Sequence, residues 1–499
     1  MTESPHAAPR RRLVVVGSGM AASRLVEELV ARGAHATHAT HAITVLGDEP
    51  VAPYNRILLS AVLEGTHRPE ALTLRTPEWY DAHGITLHLG ARVLGVDPGR
   101  RDVMLVDGTL IDYDVLVLAT GAIPALPPIR GLVRMDGSLH PAVHAFRSLA
   151  ECEHLLAAIA DTDAAGHPVN RRAVVVGGGL LGLQVARALG TRGLDTEIVE
   201  GAEHLLHRQV DTAAGRILAR DLKKLDVAVY TGARAVRIED AGDRVALRLD
   251  NGFTLDTDLV VLTAGGRPST ALARGAGLEV RRGIVVDDRL TTSDPHIHAI
   301  GDCVQHEGRV TGFVPPAWEQ AGVLADVLTG EPTTYDGSRV VARLRATDLD
   351  VAVLGDASAE IEAGGELVEV ANPIAGSHRR LVVREGRIVA ATLVGDLSRV
   401  GLITQHFDRG TVLGPTEPGS LLMPERTTTA GSATRALPDD AEVCACAGVS
   451  AARIRSCSSF EEVRDTTRAT TGCGGCTSAV RELLAARALS PYVSTAKGN

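Results

Sequence analysis

Four of the seven cysteines in this 499-residue chain stand in two close pairs. Cys444-x-Cys446 is followed by 26 residues and then by Cys473-x-x-Cys476. Thiolates at this spacing can place four soft ligands on one metal ion or metal–sulfur cluster. Gly472, Gly474 and Gly475 relax the backbone around the second pair, so it can wrap closely and turn N–H groups toward sulfur. A tetrahedral four-cysteine zinc ion also fits this ligand set. Cys152, Cys303 and Cys457 fall outside the pattern and read as structural residues; Cys303, beside Asp302, reads as a small buried one.

A second chemistry is written twice. Leu13–Val16 is a short apolar run that passes into Gly17-Ser18-Gly19-Met20-Ala21-Ala22 and then into the helical pattern SRLVEELVARG. Ala173–Val176 passes in the same way into Gly177-Gly178-Gly179-Leu180-Leu181-Gly182 and LQVARALGTRG. This is G-x-G-x-x-G/A between a strand and a helix. Its first glycine makes a tight turn, its second admits a pyrophosphate, and its last small residue lets helix and strand pack closely. The helix N-terminus then offers free N–H groups to phosphate. Each unit continues to a second strand ending in acid: Asp48 and Glu49 in ITVLGDEP, Glu200 in TEIVEGAE. A carboxylate there accepts the ribose hydroxyls of an adenine dinucleotide, and Glu200 would repel a 2′-phosphate, so NADH is expected over NADPH. His35, His38 and His41 lie between the first helix and its strand and read as a low-complexity surface insertion rather than a metal site.

The elements that must position these residues follow. YDVLVLATGAIP places Thr120 and Gly121 after a buried strand, DLVVLTAGGRP repeats that pattern, and HIHAIGDC places Gly301 and Asp302 after another. Two dinucleotide sites in one chain suggest a flavoprotein, with FAD in one and NAD(P)H in the other. Residues 337–425 alternate like half-buried strands, with a hairpin turn at Glu385-Gly386 and a helix in SRVGLITQHFDRGT. Residues 426–440 are polar and lack apolar periodicity, as in a flexible linker. The net charge of −10 disfavours nucleic acid and anionic membrane as partners. Two Trp, six Tyr and five Phe are too few for stacking platforms. The apolar run after Arg10-Arg11-Arg12 is shorter than a signal core, and no stretch is long enough to span a bilayer, so a cytoplasmic protein is expected.

Several of these segments resemble the glutathione-reductase-like flavoprotein superfamily. There the aspartate of the G-D pair holds the FAD ribityl chain, a role the resemblance gives to Asp302 with Gly301 beside it. The resemblance also implies FAD contacts at Ala21, Val93, Thr120 and Gly121. PYNRILLS is similar to a segment of NADH-dependent ferredoxin and nitrite reductases that borders the flavin, which makes Arg56 a candidate FAD contact. FVPPAWEQAGVLA resembles the stretch along the isoalloxazine, with Val314 at the backbone-contact position. Gln184 replaces the glutamate usual in ferredoxin reductases near the nicotinamide, and Ala61 replaces their lysine. No Cys precedes Cys152, so the dithiol of the disulfide reductases is absent. The Cys pairs and TGCGGC resemble the bacterioferritin-associated ferredoxin type of [2Fe–2S] domain, which makes a [2Fe–2S] cluster on Cys444, Cys446, Cys473 and Cys476 the expectation and zinc the alternative.

Taken in order, the modules resemble the FAD half of NADH-dependent nitrite reductases and the electron-transfer subunits of assimilatory nitrate reductases. The resemblance implies an α/β chain of two Rossmann-like dinucleotide-binding domains, the NAD domain inserted in the FAD domain. An α+β third domain and a small helical [2Fe–2S] domain follow. The expected bounds are 1–125 and 259–330 for FAD, 126–258 for NAD(H), 337–425 for the third domain and 441–490 for the cluster. It further implies an NADH:acceptor oxidoreductase whose partner is a separate molybdenum-containing nitrate reductase subunit; a ferredoxin, rubredoxin or oxygenase component, or a separate nitrite reductase, is the alternative acceptor. The cysteines of a sirohaem and [4Fe–4S] domain are absent, so nitrite reduction by this chain alone is not expected. Hydride transfer by cofactor positioning needs no general acid or base, and none is nominated.

Overall fold

The computed structural model describes residues 10–33, 41–162, 166–167, 169–338, 341–346, 349–423, 437–444, 449–467, 469–470 and 476–488. They fall into two compact units, drawn from Met1–Leu126, Arg147–Cys152 and Gly265–Arg339 on one side and Pro127–Phe146, Glu153–Ala264 and Val340–Asn499 on the other.

The first unit is built on a five-stranded parallel sheet. Its order is Ile297–Ala299, Val115–Leu118, Arg11–Val16, His41–Leu46, Thr86–His88. A strand covered on both faces reads as a continuous apolar run. Leu13, Val14 and Val15 are accordingly buried at or below 1% exposure. The helices Met20–Ala31 and Val314–Thr329 pack against each other beside this core.

The second unit repeats the plan. Its parallel sheet runs Val227–Thr231, Asp195–Glu200, Arg172–Val176, Leu259–Leu262, Val143–Ala145. Here the structure departs from the expected boundary at 258/259. Leu259–Leu262 was expected to open the second FAD segment, yet Val260 pairs between Val174 and Val143. It stands to Arg172–Val176 as Val115–Leu118 stands to Arg11–Val16, and so completes the nucleotide-binding sheet. The chain re-enters the first unit at Gly265, where Gly266–Pro268 pairs antiparallel with Ala122–Pro124.

Residues beyond 340 add a five-stranded antiparallel sheet in the order Val341–Ala346, Leu349–Leu354, Arg387–Val394, Ser377–Arg384, Glu366–Asn372. The turn at Glu385-Gly386 forms with φ of +51° and +71°. The helix Val400–Arg409 covers the sheet and puts Ile403 and Phe407 into its core.

One polar cluster joins this sheet to the nucleotide-binding part of the same unit. Asp211 caps the helix Thr212–Lys223, its Oδ1 accepting from the Ala214 N–H at 2.9 Å. Its Oδ2 accepts from His378 Nε2 at 2.8 Å and from Arg380 Nη1. Glu369 closes the group, 3.3 Å from Arg380 Nε. Asp211, Glu369 and His378 converge closely enough to ligate a cation, but the Arg380 guanidinium already pairs with both carboxylates. Burial by itself raises the Asp211 pKa; the hydrogen bonds from His378 and Ala214 and the charge of Arg380 outweigh it and hold the carboxyl well below the usual range. A depressed carboxylate stabilises the fold above its unfolded pKa, about 3.9, and the contribution is lost as pH falls below that. Asp211→Ala removes a helix cap and leaves Arg380 with Glu369 as its carboxylate partner, which predicts a loss of about 2–3 kcal/mol in urea unfolding at pH 7. The variant should also lose stability less steeply than the parent between about pH 4 and pH 2.

The C-terminal segment is small and mostly helical. Glu442–Cys444 pairs with Val449–Ser450, and the helices Ala451–Arg455, Phe460–Thr467 and Thr477–Ala488 follow. Cys444, Cys457 and Cys476 share one core with Ile454, Val463 and Val480. Of the expected linker at 426–440, only 437–440 lie among the described residues. His35 and His38 lie outside them, and His41 is buried at the start of its strand. Among the described residues, no helix is long and apolar enough to cross a membrane.

Candidate functional site

In the first unit, Gly17 sits where the strand Arg11–Val16 must turn. Its N–H donates to the Leu46 carbonyl at 2.8 Å, and its φ is +109°. A Cβ there would lie 2.3 Å from the Ala119 carbonyl oxygen, so only glycine fits. Gly19 precedes the helix Met20–Ala31, which has no side-chain cap and no acid in its first turn. Nothing lies within 4 Å of a Cβ built at Gly19. The backbone donors therefore face open space of the kind a pyrophosphate fills. Ala22 is buried, and the Cβ of Ala21 would meet a Cβ on Gly301 at 3.0 Å.

The other residues expected to contact FAD are held as follows. Thr120 donates to the Ser269 carbonyl at 2.8 Å, and Gly121 turns at φ +66°. The Gly301 N–H donates to Gln320 Oε1 at 2.7 Å, fixing the turn that presents Asp302. Val314 opens the helix Val314–Thr329, Val93 opens the strand Val93–Asp97, and Asp48 is exposed. Glu49 is not a bare acceptor. One carboxylate oxygen takes Arg56 Nη2, and the other takes the Tyr54 hydroxyl at 2.8 Å. Tyr54 in turn accepts from the Leu149 N–H at 2.8 Å, and its ring lies 5.0 Å below the Arg56 guanidinium. Burial and the adjacent Glu49 carboxylate hold the phenol pKa above its ordinary value, so it stays a donor.

Sequence reasoning missed Arg147. Its Nη2 lies 2.6 Å from Asp302 Oδ2, and its Nε donates to the Ala122 carbonyl at 2.9 Å. Its own carbonyl accepts from Arg56 Nη1 at 3.2 Å, which links the two arginines. Nothing in AFRSLAEC marked it. Cys303 is fully buried, with its thiol on the Leu118 and Ile300 carbonyls at 3.4 and 3.2 Å. Burial raises that thiol's pKa, as suits a packing residue rather than a nucleophile.

The second unit carries the same construction. Gly177, at φ +119°, bonds the Val199 carbonyl at 2.9 Å, and a Cβ there would lie 2.7 Å from Thr263 oxygen. A Cβ on Gly182 would lie 1.9 Å from the Gly177 carbonyl oxygen. Gly179 opens the helix Leu180–Thr191 onto free space. Gln184 is half-buried on that helix. Glu200 is buried at the end of Asp195–Glu200, and its oxygens accept from the Gly178 and Ala202 N–H groups at 2.7 and 2.8 Å.

Of the four expected thiolate ligands, Cys444 and Cys476 are described and Cys446 and Cys473 lie outside the described residues. The described pair is buried in one core, and the Thr470 N–H donates to Cys476 Sγ at 3.2 Å. A backbone donor aimed at sulfur suits a thiolate that carries negative charge on a cluster.

Residues 11–321 match the family described as pyridine nucleotide-disulphide oxidoreductase. The chain belongs to that family. Residues 442–486 match the BFD-like [2Fe-2S] binding domain. The expected cofactors, FAD, NAD(H) and a [2Fe–2S] cluster, are borne out by these two matches, and with them the expectation of an oxidoreductase. The chain is 35% identical over 483 residues to the nitrite reductase [NAD(P)H] of Bacillus subtilis (strain 168), covering 95% of this chain and 57% of that protein. It is 31% identical over 494 residues to the assimilatory nitrate reductase electron transfer subunit of the same organism, covering 98% of this chain and 61% of that one. The chain thus spans somewhat over half the length of these curated relatives. Among solved structures, putidaredoxin reductase in its covalent complex with putidaredoxin aligns with a TM-score of 0.71 at 27% identity, over 82% of this chain and 95% of that one. A ferredoxin reductase from Rhodopseudomonas palustris aligns equally well, over 82% of this chain and 97% of that one.

Proposed function

We propose that this chain oxidises NADH and passes the electrons through FAD and a [2Fe–2S] cluster to a separate, molybdenum-containing nitrate reductase subunit. The observation that carries the proposal is one chain holding two strand–glycine–helix sites and a third, thiolate-lined core. The 31% identical relative bears the name of a nitrate reductase electron transfer subunit.

Gly17 and Gly19 would admit the FAD pyrophosphate to the N-terminus of Met20–Ala31. Asp302, set by Gln320 and neutralised in part by Arg147, would accept flavin-side hydroxyls. Arg56, braced by Glu49 and Tyr54, would offer charge to the same cofactor. Gly177, Gly179 and Gly182 would admit the nicotinamide nucleotide, with Glu200 on its adenosine ribose and Gln184 toward its carboxamide. Cys444, Cys446, Cys473 and Cys476 would hold the cluster. Bound FAD supplies the chemistry that converts a two-electron hydride into single electrons, and the protein's part is positioning and exclusion of water. A separate nitrite reductase is the second reading, and the 35% identical relative favours it.

Co-purification from the source cell, followed by metal analysis of the partner, tests the acceptor. Molybdenum in a stoichiometric partner supports the first reading. A sirohaem partner without molybdenum supports the second and overturns the first.

A further inference from the structure

Thr470 combines two unfavourable features beside an expected cluster ligand. Its backbone is left-handed, at φ +71°. A β-branched residue is an outlier in that region, because its Cβ crowds a neighbouring carbonyl. Its side chain is buried, and among the described residues its hydroxyl has no hydrogen-bond partner. A buried polar group without a partner has given up its hydration for nothing in return. Strain and an orphaned donor on one residue point to a group whose binding they serve.

The residues leading up to it are well satisfied. Thr466 donates to the Glu462 carbonyl at 2.7 Å. Thr467 donates to the Val463 carbonyl at 2.6 Å and accepts from the Ala469 N–H at 3.2 Å. The chain then leaves the helix Phe460–Thr467 and turns at Thr470, whose N–H donates to Cys476 Sγ at 3.2 Å. The hydroxyl is on the same residue, a few bonds from that nitrogen. The adjoining core is apolar apart from its cysteines, so sulfur is the acceptor that its side chains offer.

We propose that the Thr470 hydroxyl donates a hydrogen bond to sulfur of the bound [2Fe–2S] cluster, beside the backbone bond to Cys476, and so raises the reduction potential of the cluster. A donor to sulfur favours the reduced form, which carries one more negative charge. The left-handed turn places the backbone donor and the side-chain donor of one residue at the same end of the cluster. The inference rests on the reading of Cys476 as a ligand.

Titration of the iron-loaded full chain with dithionite, one electron per cluster, tests it without turnover. The reduced cluster is followed by electron paramagnetic resonance of frozen samples. Thr470→Val removes the hydroxyl and keeps the branched shape. It should make the reduced cluster roughly tenfold harder to form, a potential about 59 mV lower. Thr470→Ser keeps a hydroxyl and should titrate like the parent. Thr470→Gly also lacks the hydroxyl but accepts the left-handed turn without strain. It should show the same lowered potential, and it decides the matter if the valine variant holds no iron. A parental potential in the glycine variant overturns the proposal, as does a serine variant that falls as far as the valine one. A parental cluster signal in Cys476→Ser would instead overturn the reading of Cys476 as a ligand, and the proposal with it.

Discussion

Gly19→Val should yield a folded protein without flavin. The position is suited to this test because it separates fold from ligand. Gly19 has φ −74°, which any residue adopts, and an added Cβ meets no protein atom within 4 Å. Its neighbour Gly17 is the opposite case, with backbone 2.3 Å from the missing Cβ, so a valine there damages the turn itself. A valine at 19 fills only the space through which a pyrophosphate would approach the first helix. The expected result is flavin content below about a tenth of the parent's and loss of all NADH-dependent reduction, since every electron passes through that cofactor. Its melting temperature should match that of flavin-stripped parent, because bound ligand stabilises only the protein that holds it. Gly179→Val is the control in the second unit, where the added Cβ again meets nothing within 4 Å. It should keep its flavin and lose reduction by NADH.

Cys476→Ser should cut the path one step later. Cys476 is buried in the small C-terminal core with Cys444 and accepts the Thr470 N–H. A hydroxyl is a poor ligand for a cluster that selects soft thiolates. Iron content should fall from about two per chain to near zero. Reduction of a one-electron protein acceptor should drop on the order of a hundredfold, while NADH still bleaches the flavin at the parental rate. Equal loss of both reactions would contradict a serial path. Ser is close to Cys in volume, and Val463, Ile454 and Val480 continue to fill the core, so the segment should remain folded.

The two glycine turns were legible because strand, turn and helix are contiguous in the chain. The thiolate pairs were legible for the same reason. What depended on distant pairing was not. Leu259–Leu262 has the apolar run of any buried strand, and only its parallel pairing with Ala173–Val176 assigns it to the second sheet. Arg147 carries no motif, and it matters because the chain returns it to Asp302, 155 positions further on. Glu49 ends ITVLGDEP as a ribose acceptor candidate, and its bonds to Arg56 and Tyr54 are not part of that motif. Asp211 carries no motif, and its bonds to His378 and Arg380 arise only where the antiparallel sheet meets the helix Thr212–Lys223. Patterns of adjacent residues announce backbone geometry; ion pairs between remote segments leave no periodic trace.

The central claim is a serial path from NADH through flavin to the cluster. Anaerobic rapid mixing of the fully loaded chain with NADH, followed at once by visible absorbance and by electron paramagnetic resonance of frozen samples, tests it most directly. The account predicts that the flavin bands bleach first and that the signal of a reduced [2Fe–2S] centre grows in a later phase. It also predicts no cluster signal in the flavin-free Gly19→Val protein. Cluster reduction at the parental rate in that variant would contradict it, as would a cluster that stays oxidised after the parent's flavin has bleached.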